Sequence, residues 1–357
     1  MTALIPSAAN PFYIVAPPFS RNSAGTVCLY ILCDQLNRLG YPAYIVLYPY
    51  RKRLNYKTKV EDLDFYNLRC PIISDDIISY YDQKCLTPVV IYPEILDNPY
   101  GAKFYGRYIL NTPGLLAPMF KGQENFRFFY SRQLLSKYWE GNTQLKSDPT
   151  LFLPTCDLSY WFPSKVGVRC GTCFYAKKAI SLGAFDKSLL PEGSVEILSA
   201  PKMSRDEVRN IFRSYSMFYC YEDTALAIEA RLCGCPVTWV PNSHFSGHAL
   251  AEEEVGFCGA RIWGDDSDQF EAESTVGQFR EYLHSHILET PNRISYLAQQ
   301  WVELAKAQDY KGTINPLGPP DFGVPRVVST KLKHAPKRLS RCLRRISRRA
   351  RYSFATW

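Results

Sequence analysis

The chain has 357 residues, 46% of them hydrophobic and 21% charged, which excludes a disordered or collagen-like protein and predicts about two globular domains. Its formal charge of +8 belongs to one end: Lys331 to Trp357 holds ten Lys or Arg and no Asp or Glu, so the remainder carries −2. A body near neutrality argues against a nucleic-acid groove across the fold and favours one local electrostatic contact.

The opening residues, "MTALIPSAANPFYIVAPP", lack a basic start and a long apolar core, so no signal peptide is expected. No uncharged apolar run reaches the roughly 18 residues of a membrane span. The sequence has 12 Cys. Cys170-x-x-Cys173 and Cys233-x-Cys235 have ligand-like spacing, but no second pair stands at zinc-finger distance. They are expected as reduced thiols in a core, in a cytoplasmic protein.

In chain order, "FYIVAPP" from Phe12 reads as a buried strand stopped by prolines, and "FSRNSAG" as a loop ending in Gly25. "TVCLYILCDQLNRLG" has helical apolar spacing at Val27, Leu29, Tyr30, Leu32, Cys33, Leu36 and Leu39, closed by Gly40. "AYIVLY" is the next strand. Strand, helix and strand in this order make a βαβ unit, hence a parallel sheet. "TPVVIYPE" reads as a strand, "GAKFYGRYILNTPG" as a helix broken at Pro113, and "RFFYSRQLL" and "LFLPTCD" as strands. A break is expected at "LSYWFPSK". A second alternating set follows. "VGVRCGTCFYAKKA" opens it with a strand and its loop. "SVEILSA" is a strand. "SRDEVRNIFRSY" is a helix with Ser204 as N-cap and Glu207 at N3, a capping box. "SMFYCY" is a strand, "EDTALAIEARLCG" a helix, "PVTWVP" a strand, and Glu271 to Ala307 one or two long helices. The expected domains are 1–163 and 164–310, with a linker at 311–330 and a basic tail at 331–357.

Open parallel sheets bind ligands beyond the carboxyl ends of their strands. "YEDTALAIEARLCGCPV" (Tyr221 to Val237) lies at such an end. The strand is expected to stop at about Tyr221 and the helix to begin near Asp223 or Thr224. Its first amides, around Asp223, Thr224 and Ala225, then suit a phosphate. Glu222 stands at the junction. Glu229, seven residues on, falls on the same helical face, where a carboxylate can accept from vicinal hydroxyls. The bland alternative is a capped helix with two solvated acids.

"EARLCGCPV" resembles the donor-binding helix of GT-B glycosyltransferases, particularly glycosyltransferase family 4. "YIVAPPFSRNSAGTVCLYILCDQLNRLGYPAYIV" and "VVIYPEILDNPYGAKFYGRYILNTPG" look like segments of bacterial enzymes that build lipopolysaccharide or capsular chains. The resemblance spans most of residues 12–240. It implies an α/β GT-B fold of two Rossmann-like domains whose parallel sheets face across a cleft. It implies a retaining enzyme that moves a sugar from a nucleotide-sugar to a saccharide or lipid-linked acceptor, with no separate cofactor. Glu229 would hold the donor ribose, and an acid near 222 would contact the transferred sugar. The family separates its two Glu by eight positions, whereas seven separate them here. Tyr221 thus stands where the first Glu is usual, and either Glu222 or Tyr221 could take that place.

Among further candidates, Gly25 lets backbone approach a ligand, and by resemblance its loop faces the acceptor and the transferred sugar. Arg169, Lys177 and Lys178 are cations that could meet the donor diphosphate. Lys177 and Lys178 read equally well as surface residues opening a helix. "GDDSD" (Gly264 to Asp268) contains an Asp-x-Asp but reads as a solvated acidic loop, and no metal is expected. His244 and His248 lack a third ligand.

In the tail, Leu339, Leu343, Ile346, Ala350 and Phe354 form one helical stripe among arginines, with Tyr352 and Trp357 near the end. The expectation is a peripheral contact with the anionic inner face of the cytoplasmic membrane, and no nucleic-acid partner. Competing readings are a nucleic-acid-binding protein acting through the tail, and a saccharide-binding subunit without catalysis.

Overall fold

A computed structural model describes residues 9–21, 23–48, 67–112, 114, 117–120, 124–139, 148–164, 167–198, 202–264 and 268–308. The linker at 311–330, the tail at 331–357 and Asp265 to Ser267 of the acidic loop lie outside them. Phe12–Ala16 is strand β1, Ala24–Arg38 helix α1, Ala43–Leu47 β2, Asp75–Gln83 α2, Val89–Pro93 β3, Tyr105–Ile109 β4, Phe126–Phe129 β5 and Arg132–Tyr138 α3. The second set comprises β6 (Thr172–Tyr175), α4 (Lys177–Leu182), β7 (Val195–Glu196), α5 (Arg205–Ser214), β8 (Met217–Cys220), α6 (Leu226–Leu232), β9 (Val237–Trp239), α7 (Glu252–Val255), β10 (Ala260–Ile262), α8 (Asp268–Thr275) and α9 (Phe279–Lys306).

The strand orders are β2-β1-β3-β4-β5 and β10-β9-β8-β6-β7. Counted within its own set, each sheet has the order second, first, third, fourth, fifth. That is the doubly wound order whose switch point lies between the first and third strands. The chain is thus a two-domain, Rossmann-like α/β protein with parallel sheets.

Compactness groups the described residues of Met1–Arg107, Phe120–Phe126 and Trp301–Trp357 in one unit, and those of Tyr108–Met119 and Arg127–Gln300 in another. Within "LSYWFPSK", Trp161 is only 1% exposed and belongs to the core of the second unit with Phe212 and Trp239.

In the first unit, β1 pairs in parallel with β2 and β3. Every residue of β1, β2 and β3 is buried, as strands covered on both faces require. Its core is rich in tyrosine. The rings of Tyr13, Tyr44 and Tyr81 meet edge to face at 6.1 to 6.4 Å, a favoured aromatic geometry. Helix α1 starts one residue before Gly25, because the Ser23 hydroxyl accepts from the Thr26 amide as an N-cap. Gly25 therefore lies in the first turn of α1 rather than ending a loop. Gly40, at φ 87°, follows the C-cap Leu39 as expected, and the Tyr41 amide donates to the Leu36 carbonyl.

The helix expected at 101–114 is instead β4. Tyr105 and Tyr108 point to opposite faces of the strand, and every residue of β4 is buried. Gly106 is required there, since a Cβ would stand 2.0 Å from the Phe126 ring. "RFFYSRQLL" turns from strand to helix at Ser131, whose hydroxyl accepts from the Leu134 amide. "LFLPTCD" forms no strand; an isolated parallel bridge, Phe129 to Thr150, stands just before it, and the Leu151 amide donates to the Phe129 carbonyl at 2.7 Å.

In the second unit, β6 pairs with β7 and β8, β8 with β9, and β9 with β10, all in parallel. The expected capping box is formed on both arms: Glu207 N–H donates to the Ser204 hydroxyl, and Ser204 N–H donates to the Glu207 carboxylate. Cys173, Cys220, Cys233 and Cys235 are buried free thiols, while Cys170 is exposed. Among the described residues no helix is long and apolar enough to cross a membrane.

Candidate functional site

The first and third strands of the second sheet, β6 and β8, run side by side, with Tyr175 opposite Cys220. Both end at the same edge, and the chain leaves each toward a helix. After β6 it passes through Ala176 into α4. After β8 it bends through Tyr221 and Glu222 and reaches α6 at Leu226. This edge is the switch point of the sheet, where a crevice opens.

Glu222 joins the two segments. Its side chain reaches from the end of β8 to α4, where Oε2 accepts from the Lys178 backbone N–H. Ala176, the N-cap of α4, offers no side-chain bond, so Glu222 is the cap of a helix to which it does not belong. Cys220 Sγ–H donates to the Glu222 carbonyl at 3.1 Å and holds the bend. Glu222 is 6% exposed. Burial pushes its carboxyl above the usual range, against the pull of the Lys178 and Ala179 amides and the Lys178 and Lys177 charges.

Asp223 is pushed up to about 6 by burial, with the Lys178 charge and the Leu250 amide drawing it back and Glu252 adding to the rise. Thr224 turns the chain into α6, its carbonyl accepting from the Ala227 amide at 3.2 Å and its hydroxyl from the Leu226 amide at 3.4 Å. Ala225 is the N-cap of α6 and gives it no side-chain bond.

Tyr221 points the other way. It is 1% exposed, its ring meets Phe185 at 5.0 Å, and its hydroxyl donates to the Asp186 carbonyl at 2.8 Å. Of the two residues that could face the crevice, Glu222 is the one whose carboxylate lies at the strand edge. The Tyr221 side chain is core.

The structure separates Glu222 from Glu229. Seven residues would place them on one helical face only if the helix began at Asp223. It begins at Leu226, so Glu222 precedes it and turns toward α4, while Glu229 turns toward α5. There Glu229 stands 3.7 Å from Arg205 Nη2, with 15% of its side chain exposed. The Arg205 guanidinium lies over the rings of Tyr160 and Trp161 at 4.9 and 5.2 Å. Burial pushes Glu229 up to about 7, and Arg205 only partly offsets it.

Arg169 does not reach this edge. It precedes β6, at the amino ends of the strands. Its Nη1 donates to the carbonyls of Phe212 and Tyr215 at 2.6 and 3.1 Å, and its Nη2 to that of Cys233. It therefore satisfies the carbonyl ends of α5 and α6. Lys177 and Lys178 open α4 as exposed residues beside Glu222 and Asp223. Gly25 belongs to the first unit. His244 and His248 are exposed, and no group of three or more His, Cys, Asp or Glu among the described residues could hold a metal ion.

Sequence reasoning missed Arg205 and Asn242. Asn242, just past β9, donates from its side-chain amide to the Tyr221 carbonyl at 2.8 Å and braces the bend that presents Glu222. An Asn at a strand end was its only signal. Arg205 was hidden inside the capping box, where helix formation alone accounts for the sequence.

The chain matches no protein-family model and no curated protein. Solved structures similar to it include the spinosyn forosaminyltransferase SpnP (9% identity, 83% of this chain and 100% of that one, TM-score 0.45). Another is the glycosyltransferase SnogD from Streptomyces nogalater (13%, 82% and 99%, 0.38). A third is a putative UDP-N-acetylglucosamine 2-epimerase from Listeria monocytogenes (11%, 86% and 93%, 0.38). The fold and site described above rest on this chain's own strands and side chains.

Proposed function

We propose that the chain is a glycosyltransferase that takes a nucleotide-sugar as donor and passes the sugar to a saccharide or lipid-linked saccharide. The observation that carries this reading is the cluster of Glu222, Asp223, Lys177 and Lys178 at the switch point between β6 and β8. The likeness of "EARLCGCPV" to the donor helix of glycosyltransferase family 4 agrees with it. A donor laid over this edge has its diphosphate beside Lys177 and Lys178. The two ammonium groups stabilise the charge that grows on the leaving diphosphate, without a metal. The amide that would greet a phosphate at the start of α4 is already bonded to Glu222, so the cations carry this duty. Glu222 meets the transferred sugar, and Glu229, beside Arg205, accepts from the ribose hydroxyls. Retention of configuration and a role in cell-surface polysaccharide follow from the sequence likeness. The arginine-rich tail at 331–357, with its apolar stripe, suits an anionic membrane carrying a lipid-linked acceptor, at about 1 kcal/mol per basic residue near the surface.

The test is release of free nucleotide from a panel of UDP-, GDP-, dTDP- and CMP-sugars, with and without saccharide acceptors. Turnover of one donor that is abolished in a Lys177→Ala, Lys178→Ala double variant of unchanged melting temperature supports the reading. No turnover of any donor, or full turnover in the double variant, contradicts it.

A further inference from the structure

Helix α3 follows β5, the edge strand of the first sheet, yet it belongs to the second unit. There it packs on the loop between β9 and α7. Leu250 of that loop lies on the same apolar cluster as Leu134, Leu135 and Tyr138 of α3. The Gln133 side-chain amide donates to the His248 carbonyl at 3.4 Å, and the Arg132 backbone N–H to Glu254 Oε1 at 2.7 Å. The same loop meets the switch-point cluster, because the Leu250 amide donates to the Asp223 carboxylate. Leu250 thus links α3, through its side chain, to Asp223, through its backbone. Lys137 stands one helical turn beyond Gln133, so it shares the side of α3 that faces this loop. It is exposed, and its positive charge acts on Asp223 together with that of Lys178. Among the described residues, none of Lys137, Lys177 and Lys178 makes an ion pair with a carboxylate.

A lysine in the last turn of a helix suits the helix dipole, and that alone explains such a residue where it faces only water. This side of α3 faces the loop that holds Asp223, and the charges there are incomplete. Glu222 and Asp223, when ionised, are only balanced by Lys177 and Lys178. A balanced cluster has no net attraction for an anion, whereas a third ammonium group makes it positive. We propose that Lys137 is a substrate-binding residue of the switch-point site, which brings from α3 a third ammonium group to the donor diphosphate. The proposal rests on the donor reading above. A lysine ammonium is a compact charge on a flexible four-carbon stem, so Lys177 and Lys178 reach the phosphates from α4 and Lys137 reaches them from α3. Such contacts are charge-assisted, and at an exposed site salt weakens them.

The test is isothermal titration calorimetry of the full-length chain at low salt with UDP, GDP, dTDP and CDP. Lys137 is exposed, so Lys137→Met removes the charge without entering the core, and its melting temperature should equal that of the wild type. At least one nucleoside diphosphate should bind, about tenfold more weakly in Lys137→Met, as loss of a hydrogen bond to a charged group requires. The deficit should shrink as salt rises, and Lys137→Arg should recover most of the affinity. Lys187→Met, which removes an exposed lysine outside the cluster, should bind like the wild type. The Lys177→Ala, Lys178→Ala double variant separates the two ways of failing. If it loses the ligand while Lys137→Met binds like the wild type, the donor site stands and the role of Lys137 is overturned. If the double variant binds like the wild type, or if no nucleoside diphosphate binds the unaltered chain, the donor reading and the proposal fall together. Equal weakening in Lys187→Met and Lys137→Met, or no recovery in Lys137→Arg, also overturns the proposal.

Discussion

Glu229 is held in a state that costs stability at neutral pH, and replacing it reveals the cost. Its carboxyl ordinarily titrates at 4.5 and is pushed up to about 7 in the fold, by burial that the 3.7 Å contact with Arg205 only partly offsets. Between those values the folded chain binds more protons than the unfolded chain. Stability from this group is therefore full below about pH 4.5, falls as pH rises, and levels off above about pH 7. At 1.36 kcal/mol per unit of difference, the loss approaches about 3 kcal/mol at pH 8, of which about 1 kcal/mol is present at pH 5. Glu229→Gln removes the titration and keeps the shape. Urea unfolding of both forms from pH 5 to pH 8.5 measures the effect. The variant should gain on the wild type by about 2 kcal/mol across that range, while losing donor affinity. A stability difference that does not change with pH, or one that shrinks as pH rises, would refute the reasoning.

Glu222→Gln should lower kcat more than it changes donor KM, because the amide keeps an oxygen for the Lys178 N–H and loses the charge facing the sugar; wild-type turnover contradicts the role. Tyr221→Phe should lower stability by about 1 kcal/mol, through loss of the bond to the Asp186 carbonyl, and leave turnover intact. Arg169→Ala strips charged donors from the ends of α5 and α6. It should cost about 3 kcal/mol by chemical unfolding while the folded fraction keeps its donor KM. Removing residues 331–357 should abolish co-sedimentation with anionic vesicles at low salt; equal binding by the truncated and full chains contradicts a membrane role for the tail.

How much could be read beforehand depended on whether the signal was local. The capping box at Ser204 and Glu207 needs only its own residues, and it formed as written. The strands β8 and β9 are short apolar runs with clear stops, and they too were legible. The segment 101–114 was not, because its aromatics and single Gly suit helix or strand alone. The Phe126 ring across Gly106 decides the matter, and that is a contact 20 residues away in sequence. At the site, the residue types were legible and their partners were not. Glu222 was identified, but its reach to the Lys178 amide depends on β6 and β8 being neighbours. The same-face pairing of Glu222 with Glu229 failed because α6 starts later than the cap-like Asp223 and Thr224 suggest. Arg169 looked like a diphosphate ligand from its charge. Its position before β6, and two helix ends lacking carbonyl partners, assign it to the opposite edge of the sheet.

The most direct test of the switch-point site is hydrogen–deuterium exchange of the full chain, with and without the nucleotide-sugar that gives the largest thermal shift. The account predicts slower exchange in peptides covering 176–182 and 221–230, with the Lys177→Ala, Lys178→Ala double variant losing that protection. Protection confined to other segments, or the same protection in the double variant, would contradict it.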